Sequence, residues 1–257
     1  MSVENKIAVV TGGTKGIGRA IAESLLKAGA TVFICARDKS ELKRALEQLS
    51  VLGKVDGEVC DVRSESQVEM MLAEAVRVFD GVDILINNAS AINLTTTELT
   101  EPKRFDLMYD INVRGTFMVS RACIPYLKKG TNAHILNLSP PINMDLKWFA
   151  HHLAYTISKY NMSMIALGLS AELKKYNIAA NALWPRTTIA TAAVQNLLGG
   201  DALMNMSRTV DIIADAAHII LSRSSAECTG NTFIDEDVLA SNGITDLAKY
   251  SLVPGAE

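Results

Sequence analysis

The stretch TGGTKGIGRAIAESLLKAG, residues 11–29, decides how the chain begins to fold. The apolar run Ile7–Thr11 leads into it, and glycines 12, 16 and 18 fall where this predicted strand gives way to a helix with apolar residues at helical spacing. Such glycines allow a tight bend and a close approach of the backbone to a pyrophosphate at the helix N-terminus. A tight turn with close helix packing would use the same glycines. The strand–turn–helix context favours dinucleotide binding.

Short apolar runs recur along the chain and alternate with stretches of helical periodicity. The predicted strands are Ile7–Thr11, Thr31–Cys35, Lys54–Val59, Ile84–Asn87, His134–Leu138, Ile178–Leu183 and Thr232–Ile234. This alternation is typical of right-handed crossovers in a parallel sheet. We therefore predict one α/β domain over residues 1–257, a Rossmann-like, doubly wound sheet of about seven parallel strands with helices on both faces. Residues 185–208 have the weakest pattern and are predicted to form an irregular lid over the substrate site.

Composition and charge disfavour nucleic-acid-binding, membrane-spanning and disulfide-rich classes of protein. A net charge of −3 gives no electrostatic reason to expect nucleic acid or an anionic membrane surface as partner. No apolar run approaches the roughly 18 residues of a membrane span, and neither a signal peptide nor a peroxisomal tripeptide is evident, so we expect a cytoplasmic protein. The four cysteines are scattered at spacings that suit neither zinc nor a disulfide framework, and we expect them to be buried and reduced.

The residues after the second predicted strand indicate which dinucleotide binds. A carboxylate there usually holds a ribose 2′-hydroxyl, whereas a 2′-phosphate needs a cation. This chain has Ala36 and then Arg37, and Lys15 in the glycine loop could reach the same phosphate. We therefore predict NADP(H) in preference to NAD(H). The alternative is that both cations are surface charges and that Asp38 neutralises Arg37.

Further motifs follow in a fixed order. They are Asp61 after the third strand, Asn87-Asn88-Ala89 after the fourth, Asn112 in NVRG, and Tyr155 followed by Lys159 four positions later. Of the six tyrosines, only Tyr155 has a lysine at that spacing. With the glycine loop, this set resembles the short-chain dehydrogenase/reductase family over essentially the whole chain. The segments NNASAI, CIPYLKK, HILNLSPP, NALWP and VDIIADAA resemble the hydroxysteroid-dehydrogenase-like proteins within it. Some of those carry a further sterol-carrier domain, which we do not expect in this sequence.

The resemblance implies proton chemistry at the tyrosine–lysine pair. Carbonyl reduction needs a proton for the developing alkoxide, and a free tyrosine with a pKa of about 10 matches neutral pH poorly. An ammonium nearby would stabilise the phenolate and lower that pKa. Positions four apart are neighbours on a helix, so Tyr155 and Lys159 are expected to face one cleft. In this family Asn112 would anchor a water that passes protons to Lys159; otherwise it is an ordinary polar residue of a helix.

Two departures from the family pattern affect the remaining site residues. The position of the family's serine after the fifth strand is occupied by Pro140, with Ser139 one place earlier. In the family this serine orients the substrate carbonyl. Either Ser139 takes that role through a local shift, or the role is weakened or filled otherwise, and one lost oxyanion donor can cost about 10²–10³ in rate. The second departure is WPRTT, where the family usually has Pro-Gly. Arg186 could contact an anion or could be a surface residue, and Thr188 and Thr191 are candidates for the nicotinamide carboxamide.

Taken together, these observations predict an NADP(H)-dependent oxidoreductase acting on a carbonyl or alcohol of a hydrophobic or lipid-like substrate. The predicted catalytic residues are Tyr155, Lys159, Asn112 and Ser139. The predicted cofactor contacts are Gly12, Thr14, Lys15, Gly16, Ile17, Gly18, Arg37, Asp61, Val62, Asn88, Ala89, Tyr155, Lys159, Pro185 and Thr188. The alternative is a catalytically weakened, nucleotide-binding regulatory or interaction protein of the same fold. Enoyl reduction is disfavoured because family members with that chemistry space the pair more widely. The family resemblance of 103–128 and 153–176, predicted as long helices, implies a homodimer or homotetramer.

Overall fold

The computed structural model describes residues 1–192, 194–198 and 200–253. Its described part contains one sheet of seven parallel strands in the order β3-β2-β1-β4-β5-β6-β7. The strands are β1 Ile7–Thr11, β2 Thr31–Ala36, β3 Val55–Val59, β4 Ile84–Asn87, β5 His134–Leu138, β6 Ala179–Trp184 and β7 Thr232–Ile234. The predicted fold class is thereby confirmed, with strand boundaries shifted by at most one residue.

Helices cover both faces of this sheet. They are α1 Gly16–Lys27, α2 Lys39–Leu49, α3 Glu65–Phe79, α4 Pro102–Met108, α5 Thr116–Leu127, α6 Leu153–Glu172, α7 Gly200–Asn205, α8 Asp211–Leu221 and α9 Asp235–Ala240. One apolar core unites α1, α2, α8 and α9 with the sheet, through residues such as Ile21, Leu42 and Ile213. A second core on the other face unites α3, α5 and α6, through Met71, Val119 and Leu169. Each of these seven helices therefore buries an apolar stripe against the sheet.

The segment 103–128, predicted as one long helix, is interrupted. Between α4 and α5 the chain forms a π-helical segment, Tyr109–Gly115. The wider hydrogen-bonding pattern of a π-helix changes the direction of its side chains, and such segments are frequent at functional sites. Here Asn112 is fully buried at the centre of the segment, where it bonds to neighbouring elements.

The strand order determines where a ligand fits. The chain leaves β1 toward β2 on one side and later returns to form β4 on the other, so the order reverses at β1. In open α/β sheets, ligands bind beyond the carboxyl ends of the strands at such a switch point. The predicted lid, residues 185–208, contains a π-helical turn Val194–Leu198 and the short helix α7, and its positions 193 and 199 lie outside the described residues. Within the described residues, every helix is too short or too polar to cross a bilayer.

Candidate active site

The glycine loop is fixed to the end of β4 by a small set of hydrogen bonds. The Thr11 hydroxyl donates to Ile86 O and accepts from the N–H groups of Asn88 and Ala89, at 3.2, 3.0 and 3.1 Å. The Asn88 amide donates to the carbonyls of Thr11 and Gly12, both at 3.0 Å. Gly12 has a φ of 65°, a conformation that favours glycine. The loop after β1 and the segment after β4 are therefore held together as one wall of a cleft.

Gly18 contributes to this wall by packing. A Cβ built at Gly18 would lie 2.3 Å from Asn88 Nδ2 and 2.5 Å from Gly12 O, so a larger residue would push the loop and the helix apart. Gly18 does not line the groove in the described structure. The hydrogen atom of Gly18 allows the helix to approach Asn88, and the predicted direct contact of Gly18 with the cofactor stays a prediction.

A groove of about 510 Å³ lies beyond the carboxyl ends of β1, β2 and β3. Its lining includes ten of the predicted cofactor residues: Gly12, Thr14, Lys15, Gly16, Ile17, Arg37, Asp61, Val62, Asn88 and Ala89. The first turn of α1 enters this groove with no side-chain cap and no acidic residue. The unpaired N–H groups of a helix N-terminus attract anions, so the groove fits the pyrophosphate of a dinucleotide.

Two cations lie at the end of the groove nearest β2. Arg37 is exposed and lines the groove. Lys15 forms an exposed ion pair with Glu41 at 3.2 Å. Asp38 does not face Arg37 as a partner: its carboxylate caps α2, accepting from the Ser40 hydroxyl at 2.6 Å and the Glu41 N–H at 2.8 Å. These two hydrogen bonds lower the pKa of Asp38, and the bond from the Ser40 hydroxyl has the larger effect.

Asp61 has a partner that the sequence did not reveal. Its carboxylate accepts from the Arg63 side chain through both oxygens, at 2.5–3.0 Å. The hydrogen bonds from the Arg63 side chain are the main reason that the pKa of Asp61 is lowered. Most of its acceptor capacity is thus used by Arg63, and the predicted contact with an adenine amino group stays a prediction.

Tyr155 and Lys159 lie in the first two turns of α6, and their surroundings differ. Lys159 is 2 % exposed, and its Nζ donates to Leu138 O at 2.6 Å and to Met162 Sδ at 3.2 Å. The ammonium also lies 5.1 Å from the ring centroid of Trp184. The Tyr155 side chain is half-buried and stacks edge-on against His152, with ring centroids 6.2 Å apart. Neither side chain is among those lining the dinucleotide groove.

Burial shifts both titrations toward the neutral forms. It raises the pKa of Tyr155 well above its ordinary value and lowers the pKa of Lys159 to about 7. This differs from the prediction that the ammonium lowers the tyrosine pKa, because Lys159 directs its hydrogens at Leu138 O and Met162 rather than at the phenol. Burial therefore favours the protonated phenol of Tyr155 and the neutral amine of Lys159 more than water does.

Asn112 connects the π-helical segment to α6. Its carboxamide oxygen accepts from Ala91 N at 2.8 Å and Ser90 Oγ at 3.0 Å, and its amide donates to Ala91 O and Ser158 Oγ at 2.9 and 3.0 Å. Ser158 precedes Lys159, so these bonds fix the register of α6 against the segment after β4. The predicted role of Asn112 in anchoring a water stays a prediction.

Ser139 does not face the cleft, which corrects its prediction as a substrate-contacting hydroxyl. It is fully buried, and its Oγ lies 2.8 Å from Ser163 Oγ of α6. The single hydroxyl hydrogen of Ser163 goes to Pro140 O at 2.6 Å, so Ser139 is the donor to Ser163. Side chains alternate along an extended segment, so turning Ser139 inward leaves the half-buried Pro140, which has no donor, at the following position.

The segment after β6 also differs from the prediction. Thr188 lines a separate cavity of about 430 Å³ and bonds through Oγ1 to Ser207 Oγ at 2.8 Å, whereas Thr191 and Ala192 line the dinucleotide groove. Pro185 is likewise absent from the groove lining. Arg186 pairs with Asp237 at 2.5 Å and Glu236 at 3.2 Å. The ion pairs of Arg186 thus connect the segment after β6 to α9.

Three further residues contact Tyr155 or Lys159, and sequence reasoning did not assign these contacts. Ser90 bonds to Lys159, Trp184 lies against its ammonium, and His152 packs on Tyr155. The tautomer of His152 follows from its partner: Thr156 Oγ1 donates to Trp148 O at 2.7 Å, so at 3.1 Å it accepts from His152 Nδ1–H. A position three residues before Tyr155 on one helical face was the available signal for His152.

Comparisons with known proteins agree with this geometry. The family profile described as short chain dehydrogenase matches residues 6–200. Hydroxysteroid dehydrogenase-like protein 2 of Xenopus tropicalis is 49 % identical over 96 % of this chain, which spans 60 % of that relative's length. A short chain dehydrogenase structure from Mycobacterium thermoresistibile is 45 % identical with a TM-score of 0.93, covering 99 % of this chain and 93 % of that one. A putative dehydrogenase from Xanthomonas campestris is 41 % identical with a TM-score of 0.90, covering 99 % and 96 %.

Proposed function

We propose the following function for this chain, which belongs to the short-chain dehydrogenase family of oxidoreductases. It transfers hydride between NADP(H) and a carbonyl or alcohol of a hydrophobic substrate. The observation that carries the proposal is the geometry at the start of α6, where a half-buried Tyr155 lies one turn before a buried Lys159 whose Nζ lies 3.5 Å from Ser90 Oγ of the groove. Burial shifts the pKa of both groups toward their neutral forms. Strongly shifted groups of this kind beside a cleft are typical of acid–base catalysis.

Residues of the groove would hold the cofactor. The glycine loop and the first turn of α1 suit the pyrophosphate, and Arg37 suits a 2′-phosphate because the Asp38 carboxylate is occupied by the cap of α2. Lys15 could add a second cation by leaving Glu41, since an exposed pair contributes only about 0.2–1 kcal/mol. When bound, the nicotinamide supplies or accepts the hydride.

Tyr155 and Lys159 would handle the proton. An alkoxide is a stronger base than a phenolate, so Tyr155 can protonate the substrate oxygen even though burial raises its pKa. The resulting phenolate would attract the ammonium of Lys159, which lies one helical turn away. With a pKa of about 7, Lys159 can lose and regain a proton near neutral pH. In alcohol oxidation the same groups act in reverse.

Exposed apolar side chains support a hydrophobic substrate. Met144, Leu146 and Trp148, in the segment between β5 and α6, are 71, 80 and 49 % exposed, and Met206 of the predicted lid is 62 % exposed. The first segment leads directly into Tyr155. Apolar surface next to polar catalytic groups is typical of small-molecule sites. The naming of relatives as hydroxysteroid dehydrogenase-like points to the same class.

The test measures oxidation of NADPH and, separately, NADH by the purified chain against steroid, fatty-acyl, quinone and small aromatic carbonyls. We expect turnover with NADPH that is lost in Tyr155→Phe. Tyr176→Phe, which removes the same hydroxyl from an exposed tyrosine, is the matched control. Tight NADPH binding without turnover on any member of the panel would defeat the proposal.

Burial of Ser139 favours the alternative function, a nucleotide-binding regulatory or interaction protein. Without a hydroxyl at Pro140, the substrate oxygen loses one expected donor, at a cost of about 10²–10³ in rate. This alternative predicts that NADPH binding alters an interaction with a partner protein, and that Tyr155→Phe leaves this effect unchanged.

We also infer self-association and a reducing compartment. Phe117 on α5 and Met164 and Leu167 on α6 are 53, 51 and 36 % exposed on two helices that pack against each other. A second copy of the chain packed on these exposed apolar side chains would remove them from water, which supports a dimer or tetramer. Phe117→Glu should therefore increase the monomer fraction in sedimentation. All four cysteines are buried and free, which supports a cytoplasmic location.

A further inference from the structure

Ser90 lies between the catalytic lysine and the groove. Of the polar neighbours described for Lys159 Nζ, Leu138 O and Met162 Sδ are on the buried side. The third, Ser90 Oγ, lies 3.5 Å from Nζ, and Ser90 is exposed and lines the groove. Among the described contacts, the Ser90 hydroxyl is thus the polar link between Lys159 and the solvent-exposed surface of the protein.

A second contact sets the orientation of this hydroxyl. Ser90 Oγ donates to Asn112 Oδ1 at 3.0 Å, while Asn112 is held by Ala91 and Ser158. A hydroxyl has one donor hydrogen and two acceptor lone pairs. It can therefore accept from the Lys159 ammonium while donating to Asn112. After Lys159 loses its proton, the same hydroxyl can rotate and donate to the neutral amine.

We propose that Ser90 is a proton-relay residue that returns a proton from solvent water to Lys159 in each reductive turnover. The inference rests on the proposed function. Tyr155 gives its proton to the alkoxide, and Lys159 gives one to the phenolate. The Ser90 hydroxyl proton then moves to the amine as water protonates Ser90 Oγ, leaving hydroxide in the solvent. Ser90 is unchanged overall, and one proton is taken from water, as reduction of a carbonyl by hydride requires.

The surroundings of Lys159 make this relay testable. The groups that face its ammonium are Leu138 O from β5, the Trp184 ring from β6, Met162 on its own helix and Ser90 after β4. None of these groups is a carboxylate, and the titratable residue one turn earlier on α6 is Tyr155. Removing the Ser90 hydroxyl therefore takes an acceptor from the ammonium without changing an ion pair.

The first readout needs neither cofactor nor turnover. Protein labelled with ¹³C at lysine Cε is titrated by NMR, and the Lys159 signal is assigned by its absence in Lys159→Arg. We expect a midpoint near 7 in the wild type, because burial lowers the pKa of Lys159 to about 7. Ser90→Ala should move the midpoint down by about half a pH unit, since the charged form loses a hydrogen bond. Ser90→Thr, which keeps the hydroxyl, should restore it.

The second readout is the pH profile of kcat on the best carbonyl found. Ser90→Ala should lower kcat about tenfold with KM unchanged and increase the solvent isotope effect, whereas Ser90→Thr and the distant control Ser50→Ala should match the wild type. Wild-type turnover that Ser90→Ala leaves unchanged, or an unmoved Lys159 midpoint, would overturn the relay alone. Absence of wild-type turnover would overturn the proposed function and the relay with it, whatever the NMR midpoint.

Discussion

Replacing Arg37 should weaken NADPH binding selectively. Arg37 is exposed at the end of the groove beyond β2, and the neighbouring Asp38 carboxylate is turned into the cap of α2. Its guanidinium is thus not neutralised by that carboxylate. The ribose of NADH carries a hydroxyl where NADPH carries a phosphate of about two negative charges. Arg37 therefore discriminates between the two cofactors mainly through that phosphate.

The size of the effect follows from the exposure of Arg37. A hydrogen bond to a charged group contributes about 1.5–3 kcal/mol, and an exposed site lies near the lower value. Arg37→Ala should therefore weaken NADPH binding about tenfold, since 1.4 kcal/mol is a factor of ten. Lys15 limits the loss by leaving Glu41 for the phosphate. Arg37→Glu adds repulsion and should weaken binding about a hundredfold. NADH affinity should change less than twofold in Arg37→Ala.

Fluorescence titration of NADPH and NADH at low and high salt measures these constants. Because the interaction is exposed, the difference between wild type and Arg37→Ala should shrink as salt increases. Arg44→Ala removes an exposed arginine of α2 that does not line the groove, and it is the matched control. Equal losses for NADPH and NADH, or no loss for either, would refute the assignment of Arg37 to the 2′-phosphate.

Three further predictions concern stability and the site. Burial lowers the pKa of His134 from 6.5 to about 4, so the unfolded chain binds a proton first as pH falls. The associated stability is complete above pH 6.5 and lost toward pH 4. Urea unfolding measures the free energy of unfolding at pH 7 and at pH 4.5. The decrease in this free energy from pH 7 to 4.5 should be about 2 kcal/mol smaller in His134→Gln than in the wild type, and an equal decrease in the two proteins would contradict this. Gly18→Ala should lower both the Tm and NADPH affinity, because its Cβ would lie 2.3 Å from Asn88 Nδ2; unchanged values would show that the loop shifts freely. Ser139→Ala should cost about 1 kcal/mol of stability through loss of the Ser163 bond and change kcat less than threefold. A hundredfold loss of kcat would place Ser139 at the substrate after all.

The sheet was predictable because buried parallel strands are written as short apolar runs. β1, β4, β5 and β7 begin and end at the predicted residues, β2 and β3 differ by one residue at one end, and β6 differs by one residue at both ends. The interruption of the predicted helix 103–128 was not predictable, since an apolar pattern continues through Tyr109–Gly115 whichever hydrogen-bonding pattern the backbone adopts. What favours the π-helical segment is the set of partners that Asn112 finds across space, and a single sequence does not contain them.

The site likewise contains some residues whose positions were predictable from the sequence and others whose positions were not. The position of the glycine loop and Arg37 beside one groove was predictable because chain position and residue type fix their surroundings. Ser139 and Thr188 were not, because a turn of one residue moves a side chain from the cleft to the opposite side, and packing against Ser163 and Ser207 decides which side it takes. The partners of Lys159 come from four separate segments, so its preference for Leu138 O depends on tertiary structure.

The most direct test of the central claim follows a label from cofactor to product. NADPH deuterated at the transferable C4 position is incubated with the best carbonyl of the panel and with wild type or Tyr155→Phe, and the alcohol is analysed by mass spectrometry. We predict one deuterium per alcohol formed by the wild type and alcohol at background level from Tyr155→Phe, which should still bind NADPH. An unlabelled alcohol, or equal amounts of labelled alcohol from the two proteins, would contradict hydride transfer with Tyr155 as the proton donor.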